Sequence, residues 1–394
     1  MFTTRILCPL CFSYFKPSQV PFRCGICPPE PDEVFQKVWV GASAGRAVAM
    51  GKVLPAQFGQ KGEALCSDCG HLTRKQICPE CHGDLPPDIG SNKNYIFSII
   101  GAKNTGKSHY LGVLPEVFTE TVGPRVHLLL EPKDEATLTR YKRDFYDPIF
   151  NRKETIRGNA SFAGDWKSRF PLIYDLFPTG DFDARGVKKR NVTLVFFDTA
   201  GEDLRSEDIM DRLNRYIYRS NGIILLLDPL QIPEVRKALR AKFGGDIGLP
   251  ELEDETRTIV TRVKHLIQNG LGIRRKKSRI KIPLALAFSK FDAIEPLLEG
   301  AYTLTQEANH ENGFDRSDFQ AMNDEMRALL IDWNQRNLLQ NVEASFKHFA
   351  FFGLSSLGCN PHGTNEIPMV HPRRVEDPFL WLLYHHKLIR GYHS

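Results

Sequence analysis

Two sets of residues in this chain are spaced for chemistry. The first is four CxxC pairs: Cys8 with Cys11, Cys24 with Cys27, Cys66 with Cys69, and Cys78 with Cys81. Two thiolates three positions apart can clamp one metal ion from a tight turn, and two such turns complete a tetrahedral four-cysteine site. The eight sulfurs therefore predict two structural zinc ions. Sequential pairing is expected, the first four cysteines on one ion and the last four on the other, although an interleaved pairing uses the same sulfurs. His71 and His82 are weaker candidate ligands, and Cys359 is left over. The second set is Gly101-Ala-Lys-Asn-Thr-Gly-Lys-Ser108, which matches GxxxxGK[ST] between an apolar run and a helical pattern. Backbone N–H groups around Gly101, Asn104, Thr105 and Gly106 can surround a phosphate at the helix start. Lys107 would reach the β- and γ-phosphate oxygens, and Ser108 would ligate Mg²⁺.

Three further motifs stand at the ends of apolar runs. Asp198-Thr-Ala-Gly201-Glu202 is a DxxG element: Asp198 can hold Mg²⁺ through water, and the Gly201 N–H can approach a γ-phosphate. Ser289-Lys290-Phe-Asp292 is a variant of [NT]KxD. The Asp292 carboxylate can accept both N1–H and N2–H of guanine, a donor pair that adenine lacks, while Lys290 lies along the base plane. Ser289 stands where Asn or Thr is usual, and this predicts the loss of one brace to the phosphate loop. Ser355-Ser356, after another apolar run, fits the loop whose backbone meets guanine O6.

Catalysis is less legible. Glu202 stands where a Gln usually orients the attacking water, so it is read either as a water-positioning group or as a solvated acid opening a helix, with slow hydrolysis expected. The threonine that completes Mg²⁺ coordination is assigned to Thr155, with Thr121 as rival. Asn104 is compatible with a bound K⁺ beside the phosphates, and equally with ordinary loop dihedrals.

These residues need an α/β scaffold. Strands are predicted at 95–100, 170–177, 191–197, 222–227, 282–288 and 345–352, and helices at 109–118, 203–218, 251–269, 329–339 and 378–388. That alternation predicts a three-layer fold with a mainly parallel sheet and helices on both faces. A cysteine-rich module at 1–93 precedes it, the sheet domain fills 94–394, and the stretch around 119–169 reads as an insertion. The superclass of translation-factor and Ras-like P-loop GTPases is what residues 95–358 resemble. More narrowly, Asp198–Glu202, Phe288–Asp292 and the run from Arg374 to Leu383, together with the paired ribbons, resemble the bacterial double-GTPase (DO-GTPase) proteins of conflict and defence systems. The resemblance implies a GTP/GDP switch acting through protein partners or effector subunits; GTP-dependent self-association is a separate expectation.

Composition narrows the alternatives. In 394 residues, 52 Lys/Arg stand against 47 Asp/Glu, a net charge of +5, which is too mild to identify a nucleic-acid binder. Residues 1–93 carry ten Lys/Arg and eight Asp/Glu with no basic stripe. A dense cluster, Arg274, Arg275, Lys276, Lys277, Arg279 and Lys281, reads as a solvated loop or a docking patch for RNA or an acidic partner. Purely apolar runs such as 223–227 are far below the ~20 residues of a membrane span. No secretory pattern precedes Cys8, so the expected setting is the reducing cytoplasm, where such cysteines bind metal rather than form disulfides.

Overall fold

The computed structural model describes the chain apart from residues 1–4, 41–47, 57–61, 88, 90–92, 103, 157–169, 180–191, 197–213, 245–248, 253–255, 274–277, 299, 301, 309, 360–364 and 394. Asp198, Gly201, Glu202 and the cluster Arg274–Lys277 lie outside the described residues.

The centre is a seven-stranded sheet formed by β1 (Lys93–Gly101), β2 (Leu128–Pro132), β3 (Leu172–Pro178), β4 (Val192–Phe196), β5 (Gly222–Leu227), β6 (Leu284–Phe288) and β7 (Phe349–Gly353). The strand order is β2-β3-β4-β1-β5-β6-β7. β3 runs antiparallel to both neighbours, and the remaining pairings are parallel. Runs such as Gly-Ile-Ile-Leu-Leu-Leu and Leu-Ala-Leu-Ala-Phe have no polar face, as strands covered on both sides require, and every residue in them is buried.

The longer described α-helices are α1 (Lys107–Val117), α2 (Glu135–Tyr141), α3 (Pro233–Phe243), α4 (Thr256–Gly270), α5 (Arg316–Asp332), α6 (Arg336–Ser345) and α7 (Asp377–His385). In α4 the stripe Val260, Val263 and Ile267 is buried at helical spacing. Asp315 caps α5 by accepting from the Ser317 and Asp318 N–H groups. α7 packs Phe379 edge-on against Phe97 of β1, Phe118 beyond α1, and Phe196 of β4.

The register aligns the strand ends. Gly101 lies opposite Leu226, Leu227 opposite Phe288, and Phe288 opposite Gly353. The loops opening at Ala102, Asp228, Ser289 and Leu354 thus leave one edge of the sheet together. In open α/β sheets that edge, where the strand order departs to either side of the first strand, is where ligands bind.

Two of the expected chain segments differ in the structure. The single helix expected at 329–339 is two, broken at Trp333–Gln335 where Asn334 takes φ 58°. The 119–169 stretch supplies the edge strand β2 and the helix α2, so part of it belongs to the central sheet. Among the described residues no helix is long and apolar enough to cross a membrane.

Candidate nucleotide site and metal centres

The phosphate loop turns on two glycines. A Cβ on Gly101 would sit 2.4 Å from Thr105 Oγ1 and 2.8 Å from the Leu226 carbonyl oxygen, so only glycine lets the loop fold over the strand end. Gly106 caps α1 in the left-handed region at φ 81°. Asn104, exposed, is also left-handed at φ 61°, which suits its short polar side chain. Within the loop, Thr105 Oγ1 donates to the Ala102 carbonyl at 2.9 Å, and Lys107 Nζ reaches the same oxygen at 3.2 Å. Ser108 occupies the first turn of α1.

The two motifs expected to read the base join this loop from the adjacent strands. Ser289, buried at the tip of β6, places Oγ 2.8 Å from the Thr105 carbonyl and 3.1 Å from that of Leu227. The expected loss of a brace at this position is not observed, because the hydroxyl itself spans from β6 to the phosphate loop. Lys290, at φ 53°, pairs with Asp228 at 2.6 Å. Asp228 is buried and also caps the following turn by accepting from Leu230 N–H. Sequence reasoning passed over Asp228, although an acid ending an otherwise apolar strand was the available signal. Asp292 accepts the Ser355 hydroxyl, and Ser355 Oγ in turn accepts the Gly358 N–H at 2.9 Å. Ser356 is buried beside it.

Thr155 uses its N–H to reach the Asn365 carbonyl at 2.7 Å and its hydroxyl to reach Asn365 Oδ1 at 3.3 Å. The next residue, Ile156, donates its N–H to His109 Nε2 at 3.1 Å. Since His109 follows Ser108, the segment carrying Thr155 lies against the start of α1. Burial, and then the charge of Lys290, pushes the His109 pKa down to about 4, which keeps the ring neutral and able to accept.

The cysteines form two groups of four, and their pairing corrects the sequential expectation. Cys8, Cys11, Cys78 and Cys81 form one group, and Cys24, Cys27, Cys66 and Cys69 the other, with one site nested inside the other along the chain. Sulfur spacings of 3.8 Å for Cys11 to Cys78 and 3.6 Å for Cys24 to Cys69 and for Cys27 to Cys66 fit tetrahedral zinc. At ~2.3 Å per Zn–S bond, ligand sulfurs stand roughly 3.8 Å apart. The turns are alike: four residues after the first cysteine, Phe12, Gly70 and His82 are left-handed and donate back to the carbonyls of Cys8, Cys66 and Cys78. Pro28 cannot adopt that conformation, and Cys24 instead donates to the Lys52 carbonyl. His82 is no ligand; it bonds Asp32 at 2.8 Å.

The first site is part of the main core. All four of its cysteines are buried, Phe12 packs on Tyr216 at 5.0 Å, and Arg219 donates to the Phe12 carbonyl. Tyr216 in turn donates its hydroxyl to the Phe97 carbonyl and accepts from Ile99 N–H, both in β1. The second site has its own small core of Phe22, Leu54 and Ala64, and Cys69 is exposed.

A third cluster of His310, Asp318 and Asp377 has the acids and imidazole of a metal site. Arg374 already fills it, bonding both carboxylates at 2.8 Å, and Asp377 also accepts from His310 Nε2 at 2.9 Å.

No protein-family model matches the chain. It is 25% identical over 331 residues to the putative ESX-1 scaffolding and assembly protein SaeC of Mycolicibacterium smegmatis, covering 78% of this chain and 79% of that protein. Among solved structures it aligns with the Arl6 small GTPase of Trypanosoma brucei (14% identity, TM-score 0.29) over 76% of this chain and all of that one. It also aligns with the Ski7 GTPase-like domain of S. cerevisiae, bound to GDP and phosphate (17% identity, TM-score 0.34), over 75% of this chain and 50% of that one. The functional reading therefore rests on the chain's own geometry.

Proposed function

We propose that this chain is a GTP-binding, slowly GTP-hydrolysing molecular switch with two structural zinc ions, acting in the cytoplasm through protein partners. The observation that carries the reading is the bond from Ser289 Oγ to the Thr105 carbonyl. It ties a loop suited to phosphates to a loop suited to guanine, so one nucleotide would span both. Asp292, oriented by Ser355, is the acceptor for the guanine edge, and Lys290, held by Asp228, lies beside the base. Lys107 serves the β- and γ-phosphates. Ser108 and Asp198 would hold Mg²⁺, which neutralises phosphate charge; Thr155 is the candidate third oxygen and Asn104 a candidate K⁺ ligand. Gly201 would sense the γ-phosphate, and Glu202 would position water. GTP binding would order such segments, and partners would read their order.

The mycobacterial relative's name, a putative scaffolding and assembly protein, supports protein partners and favours a second reading, in which bound GTP only stabilises a complex. The resemblance to double-GTPase proteins leaves a defence setting as the other context. Purified protein, isolated without chelator, is tested for bound nucleotide and metal, then for phosphate release from GTP and ATP. Multiple turnovers of GTP support the switch. Tight GTP binding without turnover supports the scaffold, and a preference for ATP rejects both.

A further inference from the structure

Residues 371–377 supply none of the groups assigned above, yet they are bonded to both loops at the base end of the site. Arg373 and Ser355 exchange backbone hydrogen bonds of 2.8 and 3.0 Å, and the His371 N–H donates to the Leu357 carbonyl at 2.8 Å. The Arg373 guanidinium forks onto Glu295, Nη1 to Oε1 at 3.0 Å and Nη2 to Oε2. Glu295 lies one short turn beyond Asp292, and Ser355 is the residue whose hydroxyl Asp292 accepts. Arg373 therefore grips the Asp292 loop with its side chain and the Ser355 loop with its backbone.

The neighbouring residue fixes this grip in place. Arg374 is buried, and its Nε donates to the Thr303 and Gln306 carbonyls at 3.0 Å. Its guanidinium forks onto Asp318 at 2.8 and 2.9 Å and reaches Asp377 at 2.8 Å. With its neighbour so anchored, Arg373 cannot simply follow a loop that moves. A two-bond arginine–carboxylate pair also sets orientation as well as distance, which a single flexible contact does not.

We propose that Arg373 is a positioning residue for guanine recognition, holding the Asp292 and Ser355 loops in register so that the Asp292 carboxylate meets N1–H and N2–H of the base. The inference rests on the guanine reading above. Removing the Arg373 side chain deletes the fork onto Glu295 and leaves the Asp292 loop tied to the Ser355 loop through the Asp292–Ser355 bond and the Phe291 N–H to Leu354 carbonyl bond, so the Asp292 carboxylate is held less firmly against the base.

The test measures dissociation constants for GDP, IDP and ADP. IDP lacks the N2 amino group, so the IDP-to-GDP ratio reports how well Asp292 is placed, whereas general loosening weakens GDP and IDP alike. Wild-type protein is expected to favour GDP over both. Arg373→Ala is expected to weaken GDP about tenfold, or ~1.4 kcal/mol, and to bring the IDP-to-GDP ratio close to one with ADP unchanged. Glu295→Gln, which keeps the side-chain shape, gives the same change, and the double variant is no worse than either single one because they remove one interaction. A ratio within twofold of wild type in both single variants, or fully additive defects, overturns the proposal. If wild-type protein binds ADP as well as GDP, the guanine reading itself fails, and the proposal with it.

Discussion

Ser289→Ala is the sharpest single probe of the proposed nucleotide site. The hydroxyl has two acceptors, the Thr105 carbonyl at 2.8 Å and the Leu227 carbonyl at 3.1 Å. Leu227 keeps a partner after the substitution, since the Ser289 backbone N–H also donates to it at 2.9 Å. Thr105 is buried and loses the bond that ties the phosphate loop to β6. An intramolecular hydrogen bond contributes ~0.5–1.5 kcal/mol, and a buried acceptor left unpaired costs about 1–3 kcal/mol. Part of that cost falls on the free protein as well as the complex, so about 1–2 kcal/mol should reach nucleotide affinity, or roughly 5- to 30-fold. The loss should lie in dissociation, because bound phosphates hold a loop that no longer holds itself. Stopped-flow displacement of a fluorescent GDP analogue measures the rate directly, and Ser289→Thr, which keeps the hydroxyl, should stay near wild type. A dissociation rate for Ser289→Ala within twofold of wild type, in protein that still binds GDP, would refute the coupling of the two loops.

Other expectations follow from the metal sites and from His109. Metal analysis should return two zinc ions per chain; Cys24→Ser should remove one and change the thermal midpoint little, while Cys8→Ser should remove the other and lower the midpoint sharply. Phe12→Ala deletes a fully buried ring against Tyr216 and should destabilise by about 3–5 kcal/mol in denaturant titration, with zinc content retained. His109 has a depressed pKa of about 4 in the folded chain against an ordinary value near 6.5, so its contribution is fully present above pH ~6.5 and is lost as pH falls toward 4. The loss should reach at most roughly 3.5 kcal/mol at ~1.4 kcal/mol per pKa unit. His109→Asn should flatten the pH dependence of stability by that amount, and an unchanged slope between pH 6.5 and 4 rules the assignment out.

The sheet was legible because its strands are short runs with no polar face, and the phosphate loop because its glycines occupy fixed places. Less legible were features decided by contacts between distant residues. β2 is a five-residue edge strand, Leu-Leu-Leu-Glu-Pro, whose alternating burial shows only once β3 pairs with it. The break at Asn334 sits inside a continuous helical pattern that only the folded chain interrupts. Asp228 and Arg373 look like surface charges until their partners, Lys290 and Glu295, are brought beside them.

The pairing of the cysteines is the clearest case, since no spacing rule distinguishes sequential from nested sites. Sequential sites would close two short loops at little entropic cost, whereas the observed inner-core site joins Cys8 and Cys11 to Cys78 and Cys81 across nearly the whole module. Loop-closure cost rises only slowly with length, so the longer span is a modest penalty, and a metal ion bound only by the folded chain would offset it. The gain is positional. Closing the module at residue 81 brings its beginning back to where β1 starts, and Asn94 Nδ2 donates to the Leu7 carbonyl at 3.2 Å. The same closure presses Phe12 onto Tyr216, which is bonded at its hydroxyl to β1. Sequential ribbons would satisfy eight sulfurs equally well but would not by themselves return the first turn to that strand. The nested order thus makes one four-cysteine group part of the main core beneath β1 and gives the other a small core of its own.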